Sequence, residues 1–284
     1  MKISKIQPPP DLRSVVYEFW HTVVPNSSSA IESYKIFADG APGIIFQHNN
    51  GNSNLYRDTV PLPITFMYGQ KSASPCTNFI HGQSSIFGVS FQPATVKQLF
   101  SINSYELTDS LVDMNIFFSK NFTERLLEAR SVQHLVELFS QEIYQKLLRA
   151  KKEHIIQESV HRIRNCESNI DSALLAQQYC LSRRQFQRKF KEEVGVSPES
   201  YFRIVKFQKS LQLLRNGQYN RLSDIAYKLG YADHSHFSRE FKLFSSFSPK
   251  EFLELQLPKN SYETLTIMSL QFYDTNNRDL FFVL

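Results

Sequence analysis

The chain has 284 residues, 42% hydrophobic and 21% charged, with 24 Phe and 13 Tyr, which is long enough for two domains of roughly 100–200 residues and too rich in apolar material for a disordered chain or a coiled coil. Its formal net charge is +5, unevenly placed: residues 1–149 hold 12 basic and 12 acidic side chains, residues 150–260 hold 19 and 12, and residues 261–284 hold 1 and 3. That one basic block points to a polyanionic partner for it.

Cys76, Cys166 and Cys180 are an odd number at long spacings, so no disulfide framework or four-thiolate metal site is expected. The first ten residues lack the apolar run of a signal peptide, and no stretch reaches the ~20 apolar residues of a membrane span. A soluble, cytoplasmic protein without a membrane partner is the expectation.

In chain order, residues 34–37, 43–46, 64–68, 78–80 and 86–91 alternate β-branched and aromatic residues between turns at Asp39-Gly40, Asn49-Asn50-Gly51 and the prolines at 61, 63 and 75. They predict a half-buried sheet. From Pro93 the period becomes helical: residues 95–100 form a short helix, and the apolar positions from Phe122 to Leu147 predict a long helical region over 122–150. Lys151-Lys152-Glu153 marks the domain boundary.

Beyond it lies an internal repeat. Leu175-Ala176 matches Ile225-Ala226 at an offset of 50, and Phe186, Arg188, Phe190, Lys191 and Ser197-Pro198 match Phe237, Arg239, Phe241, Lys242 and Ser248-Pro249 at 51. Each copy reads as helix, tight turn, helix, then a helix opened by a Ser N-cap with Pro at its first position. In the second copy Ser223 is the expected N-cap, with Leu222 stapled on Tyr227, and Gly230 supplies a left-handed turn. Cys180 stands where Gly230 would be, so the first turn is expected to be built differently.

The second helix of each copy has two faces. Phe186 and Phe190, and Phe237 and Phe241, point inward; Arg184, Gln187, Arg188 and Lys191, and Ser235, Ser238, Arg239 and Lys242, lie opposite. Arg can fork onto guanine O6 and N7, Gln onto adenine N6 and N7, and the major groove admits one helix. Duplication of the whole unit favours a groove reader over an ordinary solvated face.

At these residues the sequence resembles the AraC/XylS family of bacterial transcription regulators, through Ser182-Arg-Arg-Gln-Phe-Gln-Arg-Lys-Phe190, Gly195-Val-Ser-Pro198, Asp224-Ile-Ala226-Tyr-Lys-Leu-Gly230-Tyr and His236-Phe-Ser-Arg-Glu-Phe241-Lys. The resemblance implies two helix-turn-helix units, about 172–193 and 222–244, within a DNA-binding domain over 153–257, joined by a linker helix over about 199–215. It also implies base-reading roles for Arg183, Arg184, Gln187 and Arg188, and for His234, Ser235, His236, Ser238 and Arg239. Lys191 and Lys242 are the expected phosphate contacts. Ser246, where a glycine is usual, and residues 205–208 of the linker depart from the family pattern.

Residues 1–149 resemble, more loosely, a regulatory domain that precedes such units, through Tyr17-Glu-Phe-Trp20-His, Phe37-Ala-Asp-Gly40 and Gly88-Val-Ser-Phe91-Gln-Pro93. The expected fold is α+β: a mixed β/α regulatory domain, an all-α DNA-binding domain, and a tail over 258–284 that docks on the protein. The expected function is sequence-specific promoter binding on the nucleoid. Double-stranded DNA is the main partner, with RNA polymerase, a small-molecule effector and a second copy of the chain as further ones. The alternative is a ligand-binding or enzymatic N-terminal domain for which DNA binding is secondary. Catalytic residues, cofactors and metals are not expected: His21, His48 and His81 lack the close spacing of a first shell, and three cysteines are too few for a repair methyltransferase.

Overall fold

The longest strand of the protein is one that alternation hides. Val16–Val24 is buried at six of its nine positions because it lies inside a sheet covered on both faces, where apolar residues need not alternate with polar ones. The computed structural model describes residues 3–24, 32–72, 74–119, 121–151, 154–165, 171–256 and 266–268.

In the N-terminal half the strands are β1 (Ile3–Ile6), β2 (Val16–Val24), β3 (Glu32–Ile36), β4 (Gly43–His48), β5 (Leu55–Arg57), β6 (Val60–Pro61), β7 (Thr65–Tyr68), β8 (Cys76–Ile80), β9 (Ser84–Phe91) and β10 (Leu111–Asp113). The first sheet has the order β1-β2-β9-β4-β7-β10 and is antiparallel throughout. A second sheet joins β3, β8, β5 and β6 antiparallel, and a short strand β11 (Thr266–Met268) adds to β3 in parallel, Thr266 opposite Tyr34. The remainder of the expected docking tail lies outside the described residues.

The period of two sorts the first sheet into two cores. Phe19, Ile44, Phe46, Met67, Phe87, Val89 and Phe91 face the helices α1 (Thr95–Phe100), α2 (Phe122–Leu127) and α3 (Val132–Arg149), meeting Leu135, Phe139 and Ile143. Phe87 stacks on Phe139 with centroids 5.4 Å apart. Trp20, Ile45, Phe66 and Ile86 point the other way, toward Tyr34, Leu55 and Ile80 of the second sheet. The helical region expected over 122–150 is two helices, because the chain breaks at 128–131 and Ser131 caps α3 by accepting from the His134 N–H at 3.1 Å.

The C-terminal helices are α4 (Ile155–Asn165), α5 (Ser172–Gln178), α6 (Arg183–Val194), α7 (Pro198–Arg215), α8 (Leu222–Lys228), α9 (His234–Ser245) and α10 (Pro249–Gln256). Phe186, Phe190, Tyr201, Phe207, Phe237 and Phe241 are fully buried in one cluster. Phe207 on α7 stands 5.4 Å from Phe241 and 5.2 Å from Phe244, so the linker helix is the spine on which the second unit packs. Ser197 and Ser248 cap α7 and α10 as expected, accepting from the N–H groups of Ser200 and Glu251.

Two local expectations fail. Leu222 is itself the first residue of α8, and Asp224, reaching back to the Arg221 N–H at 2.8 Å, closes its N-terminus instead of Ser223. Tyr227 is 72% exposed and staples nothing. The first turn is not built differently either: Cys180 has a φ of 54°, close to the 66° of Gly230.

Candidate nucleic-acid interface

Helix α6 begins in a reciprocal cap: the Gln185 N–H donates to the Ser182 hydroxyl at 3.3 Å, and the Ser182 N–H donates to Gln185 Oε1 at 2.9 Å. Two of the four unpaired N–H groups at the helix start are thereby satisfied. Phe186 and Phe190, one turn apart and fully buried, fix the rotation of the helix. That rotation leaves Arg183, Arg184, Arg188 and Lys191 exposed, with Gln187 half-buried beside them.

These side chains are held to different degrees. Gln187 Nε2 donates to Glu199 Oε1 at 3.0 Å, Arg183 lies 3.6 Å from the same carboxylate, and the Ser172 hydroxyl donates to it at 2.7 Å. Burial alone would raise the Glu199 carboxyl; hydrogen bonds from Ser172, its own backbone N–H, Gln187 and Ser197 outweigh that and hold it below the usual carboxylate range. Arg188 pairs loosely with Glu192 at 3.9 Å and is 73% exposed. Lys191 Nζ lies 5.9 Å from the Tyr105 ring centroid, so the N-terminal half touches this helix.

Helix α9 repeats the arrangement with other chemistry. Asp233 caps it, accepting from the His236 N–H at 2.6 Å. The His236 ring turns inward, meeting Tyr231 edge-on at 5.5 Å and accepting from the Ala232 N–H at 3.4 Å. His234, Ser235, Arg239 and Lys242 are exposed, and Ser238 is half-buried. Arg203 on α7 holds Glu240 of α9 through two bonds, Nε to Oε2 at 2.7 Å and Nη2 to Oε1 at 2.9 Å. Its guanidinium also lies over Phe244 at 5.6 Å.

Each outward-facing helix is therefore tied to α7 by one acid, Glu199 for α6 and Glu240 for α9. Sequence reasoning misses Glu199, Arg203 and Glu240, since none is part of a periodic pattern and their pairing needs the helix crossing. The 18 residues of α7 rise about 27 Å at ~1.5 Å per residue. With the thickness of the units, that suits helices one groove turn of about 34 Å apart.

The histidines weighed as metal ligands lie apart in function: His21 bonds the Ser85 hydroxyl at 3.0 Å, and His81 stacks on Tyr56 at 4.2 Å. Among the described residues no group of three metal-ligating side chains occurs, and no helix is long and apolar enough to cross a membrane. Cys166 lies outside the described residues.

Residues 175–254 match the family model of a helix-turn-helix domain, and residues 4–113 match a domain of unknown function (DUF6597). The chain is 35% identical over 77 residues to the HTH-type transcriptional activator RhaS of Escherichia coli O139:H28, and 34% identical over 77 residues to RhaS of strain SE11. Each match covers 27% of this chain and 27% of the relative, so the chain spans about a quarter of the length of the curated relatives it matches. Among solved structures, ToxT of Vibrio cholerae aligns over 83% of this chain and 98% of its own at a TM-score of 0.47 and 14% identity. CdpR of Pseudomonas aeruginosa aligns over 61% and 46% at 0.33 and 16%.

Proposed function

We propose that this protein, which carries an AraC/XylS-type helix-turn-helix domain over residues 175–254, is a transcription regulator that reads two adjacent major-groove segments of promoter DNA with α6 and α9. The observation that carries this reading is the pair of capped helices, each pinned by two buried phenylalanines and tied to one spine, with basic and amide side chains left outside. Arg183, Arg184, Gln187 and Arg188 read bases from α6; His234, Ser235, Ser238 and Arg239 do so from α9; Lys191 and Lys242 meet phosphates. His236 contributes less, because its ring is engaged within its own turn.

The protein acts in the cytoplasm on the nucleoid and works through RNA polymerase, alone or as a homodimer. No catalytic step is assigned to it. Residues 1–149 take a small-molecule effector, as ToxT in its unsaturated fatty acid-bound structure does. The test is the salt dependence of DNA binding by the full chain. Each phosphate neutralised lowers log K by about 0.9 per unit of log salt, so a slope of several units is expected, and a flat dependence overturns the reading.

A further inference from the structure

Two segments of the N-terminal half are shared with the C-terminal helices. Residues 37–40 pack on α4 and α7: Phe37 meets Phe207 edge-on at 5.8 Å, and the Ala38 and Gly40 carbonyls accept from Gln208 Nε2 at 2.5 Å and Arg164 Nη2 at 3.4 Å. Residues 97–108 close around the C-terminal turn of α6. There the Ser104 hydroxyl donates to the Glu193 carbonyl at 2.6 Å and the Thr108 hydroxyl to the Gly195 carbonyl at 2.8 Å. Carbonyls that a helix end leaves unpaired are thus served from the other half of the chain.

A third bond of this second seam is an ion pair, and it reaches the outward face of α6. Val96, Leu99 and Phe100 of α1 are buried, which leaves Lys97 on the side toward α6. Lys97 Nζ donates to Glu192 Oε2 at 2.5 Å. The other oxygen of that carboxylate, Oε1, lies 3.9 Å from Arg188 Nε. Arg188 and Glu192 stand one turn apart, the spacing at which opposite charges pair along a helix. The pair nevertheless stays open beyond hydrogen-bond reach, and Arg188 remains 73% exposed.

Without Lys97 a carboxylate at this place is unfavourable twice over. It adds negative charge to the negative end of the helix dipole, and it stands beside Arg188 and Lys191, exposed cations of the outward face. An uncompensated Glu192 draws the Arg188 guanidinium onto the helix surface, at the expense of its outward fork. Lys97 supplies the compensating charge from outside the helix. Its worth to the fold is small, because a half-exposed pair adds little to stability and the Ser104 and Thr108 bonds hold the seam without it.

We propose that Lys97 is a positioning residue for DNA recognition: by neutralising Glu192 it keeps the Arg188 guanidinium free for a base edge, so that the selectivity of α6 depends on a side chain of the N-terminal half. The effect on selectivity rests on the reading of Arg188 as a base contact given above. The release of Arg188 from Glu192 is a property of the DNA-free protein and does not.

The test uses full-length variants and, as probe, the duplex that the wild-type chain enriches from a random-sequence pool, with the unselected pool as reference. Lys97→Gln is expected to lower the preference for the enriched duplex about three- to fivefold while leaving the thermal midpoint in place. The same substitution is expected to cost nothing where Glu192→Gln or Arg188→Ala is already present. A loss that persists beside Glu192→Gln, or that falls equally on both duplexes, makes Lys97 a phosphate contact and overturns the proposal. In the DNA-free protein the Arg188 Nε–H resonance, identified by its absence from Arg188→Ala, is expected to shift in Lys97→Gln and to return when Glu192→Gln is added. An unmoved resonance overturns the proposal as well. If the wild type enriches no duplex, the regulator reading falls, and the resonance alone decides whether Lys97 holds Arg188 free.

Discussion

Cys180 and Gly230 sit at the same place in the two tight turns and in the same left-handed backbone region, at φ of 54° and 66°. Both follow Ala at i−4, Ala176 and Ala226, and both turns close with the same bond: the N–H of Leu181 donates to the Ala176 carbonyl and that of Tyr231 to the Ala226 carbonyl. The fold imposes the conformation, and a side chain without special tolerance for it bears a strain of roughly 1 kcal/mol. Cys180→Gly is therefore expected to stabilise the protein by a few tenths to about 1 kcal/mol despite the added freedom of the unfolded chain. A denaturant midpoint that rises at constant slope checks it.

The same contrast recurs one turn later. Gly195 ends α6 at φ 101°, whereas Ser246 ends α9 at φ 67°. Ser246 is exposed and only its backbone N–H, donating to the Lys242 carbonyl at 2.8 Å, serves the helix end. Ser246→Gly is expected to add a similar increment. Because residues 180 and 246 belong to separate units, the double substitution should give the sum within about 0.5 kcal/mol.

The two outward-facing helices make unequal offers. Arg184 makes no hydrogen bond or ion pair among the described residues and Arg188 only a loose one, while Gln187 is already oriented by Glu199. Arg188→Ala or Gln187→Ala is expected to cost about 1–3 kcal/mol on the true operator and much less on random duplex. Lys191→Ala and Lys242→Ala should weaken both alike. Glu199→Gln keeps one acceptor for Gln187 but loses the ion pair to Arg183, so a smaller loss of discrimination is expected. Competition binding against random duplex measures all five, and an unchanged preference in the Arg184, Gln187 and Arg188 triple alanine variant removes α6 as the reader.

The second half of this fold is legible from its residues because its main signals are local and doubled: a Phe pair one turn apart and a Ser-Pro start; the left-handed turn is legible only at Gly230, since Cys180 hides its counterpart. Strand β2 is not, since burial on both faces erases alternation. Nor are β5 and β6, three and two residues long. The outward faces of α6 and α9 follow from the period of 3.6, yet nothing in that period pairs Arg203 with Glu240 or Glu199 with Gln187. Those bonds join residues 37 and 12 positions apart through a crossing of helices. The shared segment at 37–40 is equally hidden, its bonds to Arg164 and Gln208 spanning 124 and 170 positions.

That segment alters what residues 150–260 should do when expressed alone. The two Phe clusters and α7 lie within this stretch, which is the reason to expect it to fold and bind DNA. Yet Phe37, Ala38 and Ala94 belong to the same buried core. Ser104 and Thr108 also donate to the carbonyls of Glu193 and Gly195 at the end of α6, at 2.6 and 2.8 Å. The fragment is expected to fold with a lower thermal midpoint than the full chain and to retain salt-dependent DNA binding. Circular dichroism melting and a binding titration on the same sample decide between that outcome and a collapsed core.

Asp39 sets a further expectation for pH. Its folded carboxyl is pushed up to about 7, chiefly by burial, from an ordinary value of 3.8. Between those two values the folded protein holds a proton that the unfolded chain has released, so this group favours folding fully below about pH 4 and progressively less as pH rises to 7. Each unit of separation corresponds to about 1.4 kcal/mol. Asp39→Asn keeps an oxygen for the Ala41 N–H and removes the ionisation. Its stability relative to wild type is therefore expected to climb from pH 5 to pH 8 and to level off above that. Urea unfolding of both proteins across this range gives the difference directly; a gap that stays constant with pH would show that Asp39 ionises in the folded protein as it does in the unfolded chain.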